Sequence, residues 1–449
     1  MTSTALLWFR RDLRLSDNPA LVEAVAAADE VVGAFCIDPA LFDPAGAPRR
    51  TFLLRCLRAL DESMGGRLVV RVGDPVDVIP ELAVEVDAAS VHLAEDFGPY
   101  GRQRDEAVAT RLVDAGIQPV RTGSPYAVPP GSVVTGSGTP YKVFTPFARA
   151  WRRHGWPGPV RRPAAVSWRQ VGSDPWPDEP DLDGVELPRA GEEAAATRLD
   201  HFLRGKVADY ADARDRPGDD ATSRLSPDLR WGTLHPRQIL ARLGDTPGED
   251  AFATELAWRE FYADVLLHRP ESARESMDDK VGGMPWDHGA DADERFEAWT
   301  RGRTGFPIVD AGMRQLLAEG WMHNRVRMIT ASFLVKDLHL PWQRGARWFM
   351  QHLVDGDLAS NQHGWQWTAG TGTDAAPFFR IFNPTTQGQR FDPDGDYVRR
   401  HVPELRGVDG RWIHEPWRSP AGLPDGYVAP VVDHREEREE SLRRYEGAG

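Results

Sequence analysis

The first 130 residues alternate short apolar runs with amphipathic stretches. The runs are ALLWF, VVGAFCI, RLVVRV, SVHLA and IQPVRT, and helix-like segments separate them. Alternation of this kind predicts βα units and a parallel sheet. After the first run, we expect Asp17 to cap a helix that has Pro19 in its first turn. That segment contains no G-x-G-x-x-G, so the interpretation as a nicotinamide dehydrogenase loses its main support.

The pattern changes in the middle of the chain. Residues 155–190 are rich in Pro, Asp and Gly, which is typical of an interdomain linker. From residue 192 onward the periodicity is helical, as in TELAWREFYADVLLH. A chain of 449 residues is too long for one ordinary core. We therefore predict an α/β, Rossmann-like domain over 1–130, a linker over 131–191 and an all-helical domain over 192–449.

The composition, with 41% hydrophobic and 27% charged residues, is typical of a soluble globular protein. No apolar run approaches the roughly 18–20 residues of a membrane helix, and the arginines near the N-terminus follow its short apolar stretch. We therefore expect a cytoplasmic protein. Cys36 and Cys56 lie in apolar segments, which favours reduced core thiols over a disulfide. The spacing of Cys and His indicates no metal site.

The formal net charge is −14, which argues against indiscriminate binding of nucleic acid through overall charge. A local basic groove remains compatible with this charge. Acid is concentrated in DPWPDEPDLDGVE and HREEREES, whereas arginine recurs in WRRHGWPGPVRRP, MHNRVRM and DYVRRH. Arginine outnumbers lysine, which suits rigid phosphate contacts, although a GC-rich genome gives the same bias.

The segment DGDLASNQHGWQWTAGTGTDAAPFFRIFNP, residues 355–384, concentrates polar and aromatic side chains. Its first thirteen positions contain Asp355, Asp357, Asn361, Trp365 and Trp367. The combination suggests a buried pocket for a flat, conjugated molecule. A tryptophan-rich core junction is the alternative, since aromatic clusters usually serve packing. The interleaving of polar residues with indoles favours the pocket, because buried carboxylates and amides need partners.

Residues 209–232 crowd hydroxyls and a guanidinium at a predicted helix start. Thr222, Ser223, Arg224 and Ser226 form a set that suits a diphosphate. Ordinary capping by Ser226, with Pro227 at the first helical position, is the alternative.

Two predicted helices carry further candidates. On a helix beginning at Thr254, Glu255 and Trp258 share a face, so the carboxylate and the indole could meet the edge and the face of one base. The alternative is that Trp258 belongs to the core and Glu255 is its exposed neighbour. Asn324, Arg327 and Met328 share a face of a later helix, although a lone methionine is more often a core residue.

Together these segments resemble the DNA photolyase and cryptochrome family over nearly the whole chain. The resemblance extends from LLWFRRDLRLSDNPAL through RWGTLHPRQ, WREFY and GFPIVDAGMRQLLAEGWMHNRVRMITASFLVKDL to residues 355–384. Within that family the chain is most similar to class I cyclobutane pyrimidine dimer photolyases. The resemblance implies an N-terminal antenna domain, a helical domain that holds FAD, and light-driven electron transfer from reduced FAD to a dimer flipped out of UV-damaged DNA.

The resemblance also implies roles for individual residues. The residues assigned to FAD are Tyr210, Arg214, Thr222, Ser223, Arg224, Leu225, Ser226, Arg327, Asp355, Gly356, Asp357 and Asn361, with Arg327 paired to Asp355. The residues assigned to the lesion and DNA are Glu255, Trp258, Arg259, Asn324, Arg325, Met328 and Trp367. The residues assigned to electron transfer are Trp365, Trp342, Trp286 and, beside flavin N5, Asn361. Trp286 is the least secure of these, because the stretch that follows it is about three residues longer than usual in the family.

The chain departs from the family where relatives commonly read NNGG before WQW. Here Gln362 and His363 add bulk and a titratable ring near the flavin. We expect His363 to be a change at the protein surface or in the second layer of residues around the flavin. At the antenna, EDFGPYGRQRD resembles the relatives that bind 8-hydroxy-5-deazaflavin. Relatives that bind methenyltetrahydrofolate carry an Asn-Glu pair where Gly101 and Arg102 fall, and an empty antenna pocket is the alternative.

Two other functions compete with repair. One is a cryptochrome-type blue-light photoreceptor, which Asn361 and the lesion-pocket residues argue against. The other is a flavin-dependent redox enzyme, for which the motifs offer no general acid or base beyond Glu255 and His323. Asn324 with Met328 favours cyclobutane dimers over 6-4 photoproducts. We expect a monomer.

Overall fold

The computed structural model describes residues 2–373 and 379–448, so residues 374–378 of the Trp-rich segment lie outside it. The chain divides into two compact units. The first unit comprises Met1–Asp181, Pro188–Ala208 and Ser223–Pro270. The second unit comprises Leu182–Leu187, Asp209–Thr222 and Glu271–Gly449. The domain boundaries at residues 130 and 191 stay a prediction.

A five-stranded parallel sheet forms the centre of the first unit. Its strands are β1 (Thr4–Phe9), β2 (Glu30–Ile37), β3 (Val69–Val72), β4 (Ala88–Leu93) and β5 (Gln118–Arg121). They lie in the order β3-β2-β1-β4-β5, and every neighbouring pair is parallel. All six residues of β1 are buried, as expected for a central strand of a parallel sheet with both faces covered. The predicted α/β fold is confirmed.

The helices surround this sheet and build the second unit. They are α1 (Pro19–Ala27), α2 (Pro39–Phe42), α3 (Ala47–Ser63), α4 (Pro75–Glu85), α5 (Pro99–Asp114), α6 (Phe144–His154), α7 (Glu192–Gly205), α8 (Tyr210–Ala213), α9 (Ser226–Trp231), α10 (Pro236–Leu240), α11 (Pro247–His268), α12 (Asp279–Gly282), α13 (Ala290–Thr300), α14 (Pro307–Glu319), α15 (Asn324–Ser332), α16 (Trp342–His352), α17 (Leu358–Ala369), α18 (Pro384–Phe391), α19 (Asp396–His401) and α20 (His434–Gly447). The predicted helical domain is therefore present. No helix among the described residues is long and apolar enough to cross a membrane.

The predicted cap of α1 was wrong by one residue. Asn18 has the extended backbone of a cap, and its side chain accepts a hydrogen bond from the Leu21 N–H at 3.1 Å. Asp17 instead has a left-handed backbone with φ of 50°. Its buried Oδ1 accepts hydrogen bonds from the Val160 N–H and from Arg237, each at 2.8 Å. The carboxylate is therefore used inside the first unit rather than at the helix end.

Two other helix starts differ from the prediction. The helix that carries Glu255 and Trp258 begins at Pro247 rather than Thr254, where Thr246 and Glu249 form a reciprocal capping box. Ser226 is the first residue of α9 and not its cap, and Leu225 precedes it without a side-chain capping bond. Both α11 and α9 therefore begin earlier than predicted, and the same candidate residues still share a helix face.

The core of the second unit is built from the apolar faces of α13 to α19. Trp299, Trp342 and Trp365 belong to this core, and Trp286 packs against it. Burying aromatic side chains of this size gives the unit much of its hydrophobic stabilisation. Trp365 lies on α17, which also carries the candidate residues Asn361 and Trp367. Cys36 and Cys56 are buried free thiols in the first unit, as predicted.

Candidate functional site

The candidate site of the second unit centres on α17 and the turn before it. Asp357 caps this helix, because its Oδ1 accepts a hydrogen bond from the Ser360 N–H at 3.2 Å. Two residues earlier, the carboxylate of Asp355 is 2% exposed and pairs with Arg327 at 2.8 Å through Oδ2. Arg327 is held in turn by the Met322 carbonyl, to which its Nε donates at 2.8 Å. The predicted pair of Arg327 and Asp355 is therefore formed.

Two buried polar atoms of this region have no hydrogen-bond partner among the described residues. They are Oδ1 of Asp355, an acceptor, and Nε1 of Trp365, a donor. Buried polar groups are nearly always hydrogen-bonded, and leaving one without a partner costs about 1–3 kcal/mol. An acceptor and a donor left in this way fit a ligand that offers both kinds of group.

Trp365 lies 3% exposed among other aromatic rings. Its ring meets Phe349 edge-on at a centroid distance of 5.0 Å and Trp299 at 6.1 Å. A Cβ at Gly345 on α16 would lie 2.1 Å from the indole, so only glycine allows the two helices to approach this closely. We did not predict Gly345 as part of the site, although a lone glycine inside an amphipathic helix is a usable signal.

The other two candidate tryptophans occupy the same core at different depths. Trp342 is 1% exposed, and its Nε1 donates to the Ser276 hydroxyl at 3.1 Å. Trp286 is half-buried, and its Nε1 lies 3.4 Å from the Gly282 carbonyl. The three indoles thus include two interior rings and one that reaches solvent.

The unusual pair after Asn361 is buried and fully engaged. His363 is 1% exposed, which excludes the surface position and leaves the other expected position, one layer of residues away from the flavin. Its Nδ1 lies 2.7 Å from the Ala359 carbonyl, and its Nε2 lies 2.9 Å from the Ser272 hydroxyl. Because a carbonyl can only accept, Nδ1 carries the proton and the Ser272 hydroxyl donates to Nε2. The neutral ring therefore ties α17 to the segment at residue 272.

We predict that His363 makes the folding stability depend on pH. Burial lowers the pKa of His363 to about 4 from 6.5, against the weaker effects of the Ala359 carbonyl and Asp357. Between about pH 4 and pH 6.5, His363 is therefore protonated in the unfolded chain and neutral in the folded chain. The contribution of His363 is complete above about pH 6.5 and is lost as the pH falls toward 4, by up to about 3 kcal/mol.

Urea unfolding of the wild type and of His363→Asn, each at pH 7 and near pH 5, measures this effect. Asparagine keeps a donor for the Ala359 carbonyl but does not titrate. The free energy of unfolding should fall less in the variant than in the wild type. An equal fall in both proteins would contradict the prediction.

The candidate phosphate-binding residues are divided between the two units. Tyr210 begins α8 and is buried, and the N–H of Arg214 donates to the Tyr210 carbonyl at 3.0 Å. In the first unit, Arg224 has a left-handed backbone with φ of 51°, which is uncommon for a residue with a side chain. The Ser223 hydroxyl accepts from the N–H of the buried Leu225 at 3.4 Å. The turn before α9 is thus held in a conformation that helical propensity alone does not favour.

Three candidate lesion residues, Glu255, Trp258 and Arg259, lie on α11 in the first unit. Trp258 is half-buried and stacks on Phe144 with a centroid distance of 3.6 Å and an interplanar angle of 8°. Arg259 donates to the carbonyls of Pro125 and Leu229 at 3.1 and 3.0 Å. The guanidinium of Arg259 therefore links α11 to two other segments of the first unit. We did not predict Phe144, and only its long-range stack reveals it.

The other candidate lesion residues lie in the second unit. Asn324 is exposed at the start of α15, and Met328 and Trp367 are half-buried. Arg325 pairs with both oxygens of Asp215 at 2.9 Å, so its charge is already balanced. The guanidinium of Arg380 lies 4.8 Å from the ring centroid of Trp367, which adds a cation that we did not predict.

Comparison with known proteins agrees with this geometry. The family model described as DNA photolyase matches residues 5–165, and the one described as the FAD binding domain of DNA photolyase matches residues 252–447. A deoxyribodipyrimidine photo-lyase of Streptomyces griseus is 44% identical, over 97% of this chain and 98% of that protein.

Two solved structures share the fold. A bacterial class III photolyase from Agrobacterium tumefaciens has a TM-score of 0.92 at 39% identity, covering 100% of this chain and 98% of that one. A cryptochrome from Synechocystis sp. PCC6803 has a TM-score of 0.88 at 29% identity, covering 98% of this chain and 99% of that one. The fold and the site define a protein with an α/β domain and a helical FAD-binding domain. The chain belongs to the DNA photolyase family, as the sequence predicted.

Proposed function

We propose that this chain uses blue light and FAD to repair cyclobutane pyrimidine dimers in DNA. The observation that carries the proposal is the pair of buried atoms without partners, Asp355 Oδ1 and Trp365 Nε1. Both lie inside the segment that matches the FAD-binding family model. The name of the Streptomyces griseus relative, deoxyribodipyrimidine photo-lyase, supports the proposed reaction and UV-damaged DNA as the proposed partner.

Several residues fit FAD by position and chemistry. Reduced FAD, when bound, supplies the electron that light excites. Arg327 turns Asp355 so that one carboxylate oxygen is balanced and the other stays available to a donor. The further residues that we propose to hold FAD are Tyr210, Arg214, Thr222, Ser223, Arg224, Leu225, Ser226, Gly356, Asp357 and Asn361.

The proposed lesion contacts combine polar groups for the pyrimidine edges with soft or aromatic groups for their faces. Glu255 and Asn324 supply the polar groups, and Trp258, Met328 and Trp367 supply the others. Phe144 covers one face of Trp258, so the proposal requires the dimer to stack on the opposite face. We keep Arg259 and Arg325 as proposed DNA residues, although both guanidinium groups already have internal partners.

One assay tests the proposed function. Irradiated oligonucleotide is mixed with protein carrying reduced FAD, and the dimers are counted after blue light and after a matched dark incubation. Loss of dimers only in the light is the expected result. If the protein binds FAD but neither prefers damaged DNA nor repairs it, the result favours the alternative function, a blue-light photoreceptor. The likeness to the Synechocystis cryptochrome supports this alternative.

We predict that Trp258→Ala selectively weakens the binding of damaged DNA. Removing one base–aromatic stack should cost about 1–3 kcal/mol of affinity for dimer-containing duplex. Binding to undamaged duplex should change little, because phosphate contacts supply it. The measurement is a paired titration in the dark at one salt concentration. Trp156→Ala, which removes another half-buried indole of the first unit, is the control and should leave both affinities unchanged.

Glu255→Ala extends the same titration to the edge of the base. It should weaken dimer binding by removing a charge-assisted hydrogen bond, with the FAD content unchanged. If the wild type itself does not prefer the damaged duplex, the assignment to repair fails.

The antenna pocket is proposed to hold 8-hydroxy-5-deazaflavin or nothing. A Cβ at Gly101 would lie 2.2 Å from the Asp96 carboxylate, so glycine is required there, and Arg102 is exposed. The nearby hollow lined by Arg10, Arg11, Ala94, Glu95, Asp96 and Pro125 has a cavity volume of about 10 Å³. A cavity of this size holds about one water molecule, which supports an empty pocket. Extraction of the native protein and mass spectrometry tests this, and bound methenyltetrahydrofolate would show the proposal to be wrong.

The photolyase class, the oligomeric state and the cellular location of the protein also stay proposals. We proposed class I from the sequence, whereas the likeness to the Agrobacterium structure supports class III. A monomer in the cytoplasm is our expectation, and light scattering of the purified protein tests the first part of it.

A further inference from the structure

We infer that Gln362 is a positioning residue, which turns the amide of Asn361 so that this side chain offers its ligand only a hydrogen-bond acceptor. The inference deepens the proposed binding of FAD and rests on it.

Two backbone carbonyls determine the direction of both amides. Gln362 Nε2 lies 2.6 Å from the Ala273 carbonyl oxygen and must be the donor, because a carbonyl cannot donate. The Gln362 Oε1 therefore faces the other way. It accepts from Nδ2 of Asn361 at 2.8 Å, and the same Nδ2 donates to the Ala346 carbonyl at 3.1 Å. A flipped Asn361 would place its oxygen against two acceptors.

The oxygen of Asn361 is consequently left to the ligand. Among the described residues, Oδ1 of Asn361 has no hydrogen-bond partner, and the side chain is half-buried. Asn361 lies one helical turn from Asp357 and one turn from Trp365, so the three residues share a face of α17. Both of these neighbours belong to the proposed FAD site.

The family resemblance places Asn361 beside flavin N5, and an acceptor at N5 distinguishes the oxidised ring from the reduced ring. The oxidised ring has a lone pair and no hydrogen at N5, whereas reduction by two electrons and one proton places a hydrogen there. Hydrogen bonds to the ring nitrogens tune flavin electronics in general. A fixed carbonyl oxygen therefore favours the reduced form, which the proposed reaction requires.

The test compares the midpoint potential of bound FAD in variants, with dithionite supplying the electrons and water the proton. In Gln362→Leu the Asn361 amide loses one of its two fixed partners and is free to turn. The equilibrium constant for reduction should fall roughly tenfold, the effect of about one hydrogen bond, which is about 30 mV for two electrons.

Gln366→Leu is the matched control on the same helix. Gln366 is also a buried amide, and its Nε2 donates to the carbonyls of Ser272 and Glu275 at 2.7 and 3.0 Å. It anchors α17 to the same segment as Gln362, but no bond links it to Asn361 within the described residues. This variant should lower the melting temperature without changing the potential.

A double-mutant cycle separates positioning from general damage. If Gln362 acts through Asn361, then Asn361→Ala and the double variant Asn361→Ala, Gln362→Leu should have the same potential. A wild-type potential in Gln362→Leu, or additive shifts in the cycle, would overturn the inference. If Gln362→Leu does not fold, Gln362→Met keeps the length of the side chain and is measured in its place. If the wild-type protein binds no FAD, the result contradicts the proposed function rather than the role of Gln362 alone.

Discussion

Trp365→Phe should stop blue light from reducing oxidised FAD in the presence of an external reductant. A phenyl ring gives up an electron far less readily than an indole, so the flavin loses its nearest donor. We expect the rate of photoreduction to fall at least about a hundredfold, as a barrier higher by about 3 kcal/mol requires. Repair should persist once the flavin is reduced chemically, because the electron for the lesion then comes from FAD itself.

The packing of Trp365 makes this a clean substitution. The ring lies against Phe349, Trp299 and Gly345, so phenylalanine keeps most of the apolar contacts. It removes Nε1, so the FAD content of the variant is measured before its photoreduction. Trp417→Phe, at a half-buried indole that packs against the same core, is the matched control. Absorbance at the oxidised flavin band during illumination is the measurement. Unchanged photoreduction in Trp365→Phe would remove Trp365 from the proposed role.

Glu260→Gln should destabilise the first unit by about 2–4 kcal/mol, from one lost charge-assisted hydrogen bond and one donor left facing another donor. Glu260 on α11 is 2% exposed. Its carboxylate accepts from the Val128 N–H at 3.1 Å, from the Trp151 indole at 2.6 Å and from the Ala127 N–H. Glutamine has only one acceptor oxygen, so it cannot satisfy all three donors.

Urea unfolding at about pH 8 measures the loss. Burial raises the pKa of Glu260 to about 7, against the effect of the three donors, so the carboxylate is ionised at that pH. The control is Glu249→Gln on the same helix, because glutamine serves a capping box as well as glutamate does. Equal stabilities of Glu260→Gln and the wild type would show that the buried carboxylate contributes nothing.

Local pattern was enough to predict most of the architecture. Alternating apolar runs indicated the parallel sheet, since a strand buried on both faces needs continuous apolar residues. Helical periodicity from residue 192 indicated the helical domain. The helix ends were harder, as Asp17 and Asn18 show. Both residues can cap, and only the backbone angles that the folded chain imposes at Asp17 decide between them.

The sequence by itself determined which functional groups the segment 355–367 offers, because its carboxylates, amides and indoles follow directly from the residue types. Only the tertiary structure decided what these side chains do for one another. Asn361 is oriented by a carbonyl 15 residues away, Gln362 by one 89 residues away, and His363 by a hydroxyl at a separation of 91. The stack of Phe144 on Trp258 is another case. Such contacts depend on where distant segments come to lie, and hydrogen bonds are too directional for residue type alone to specify them.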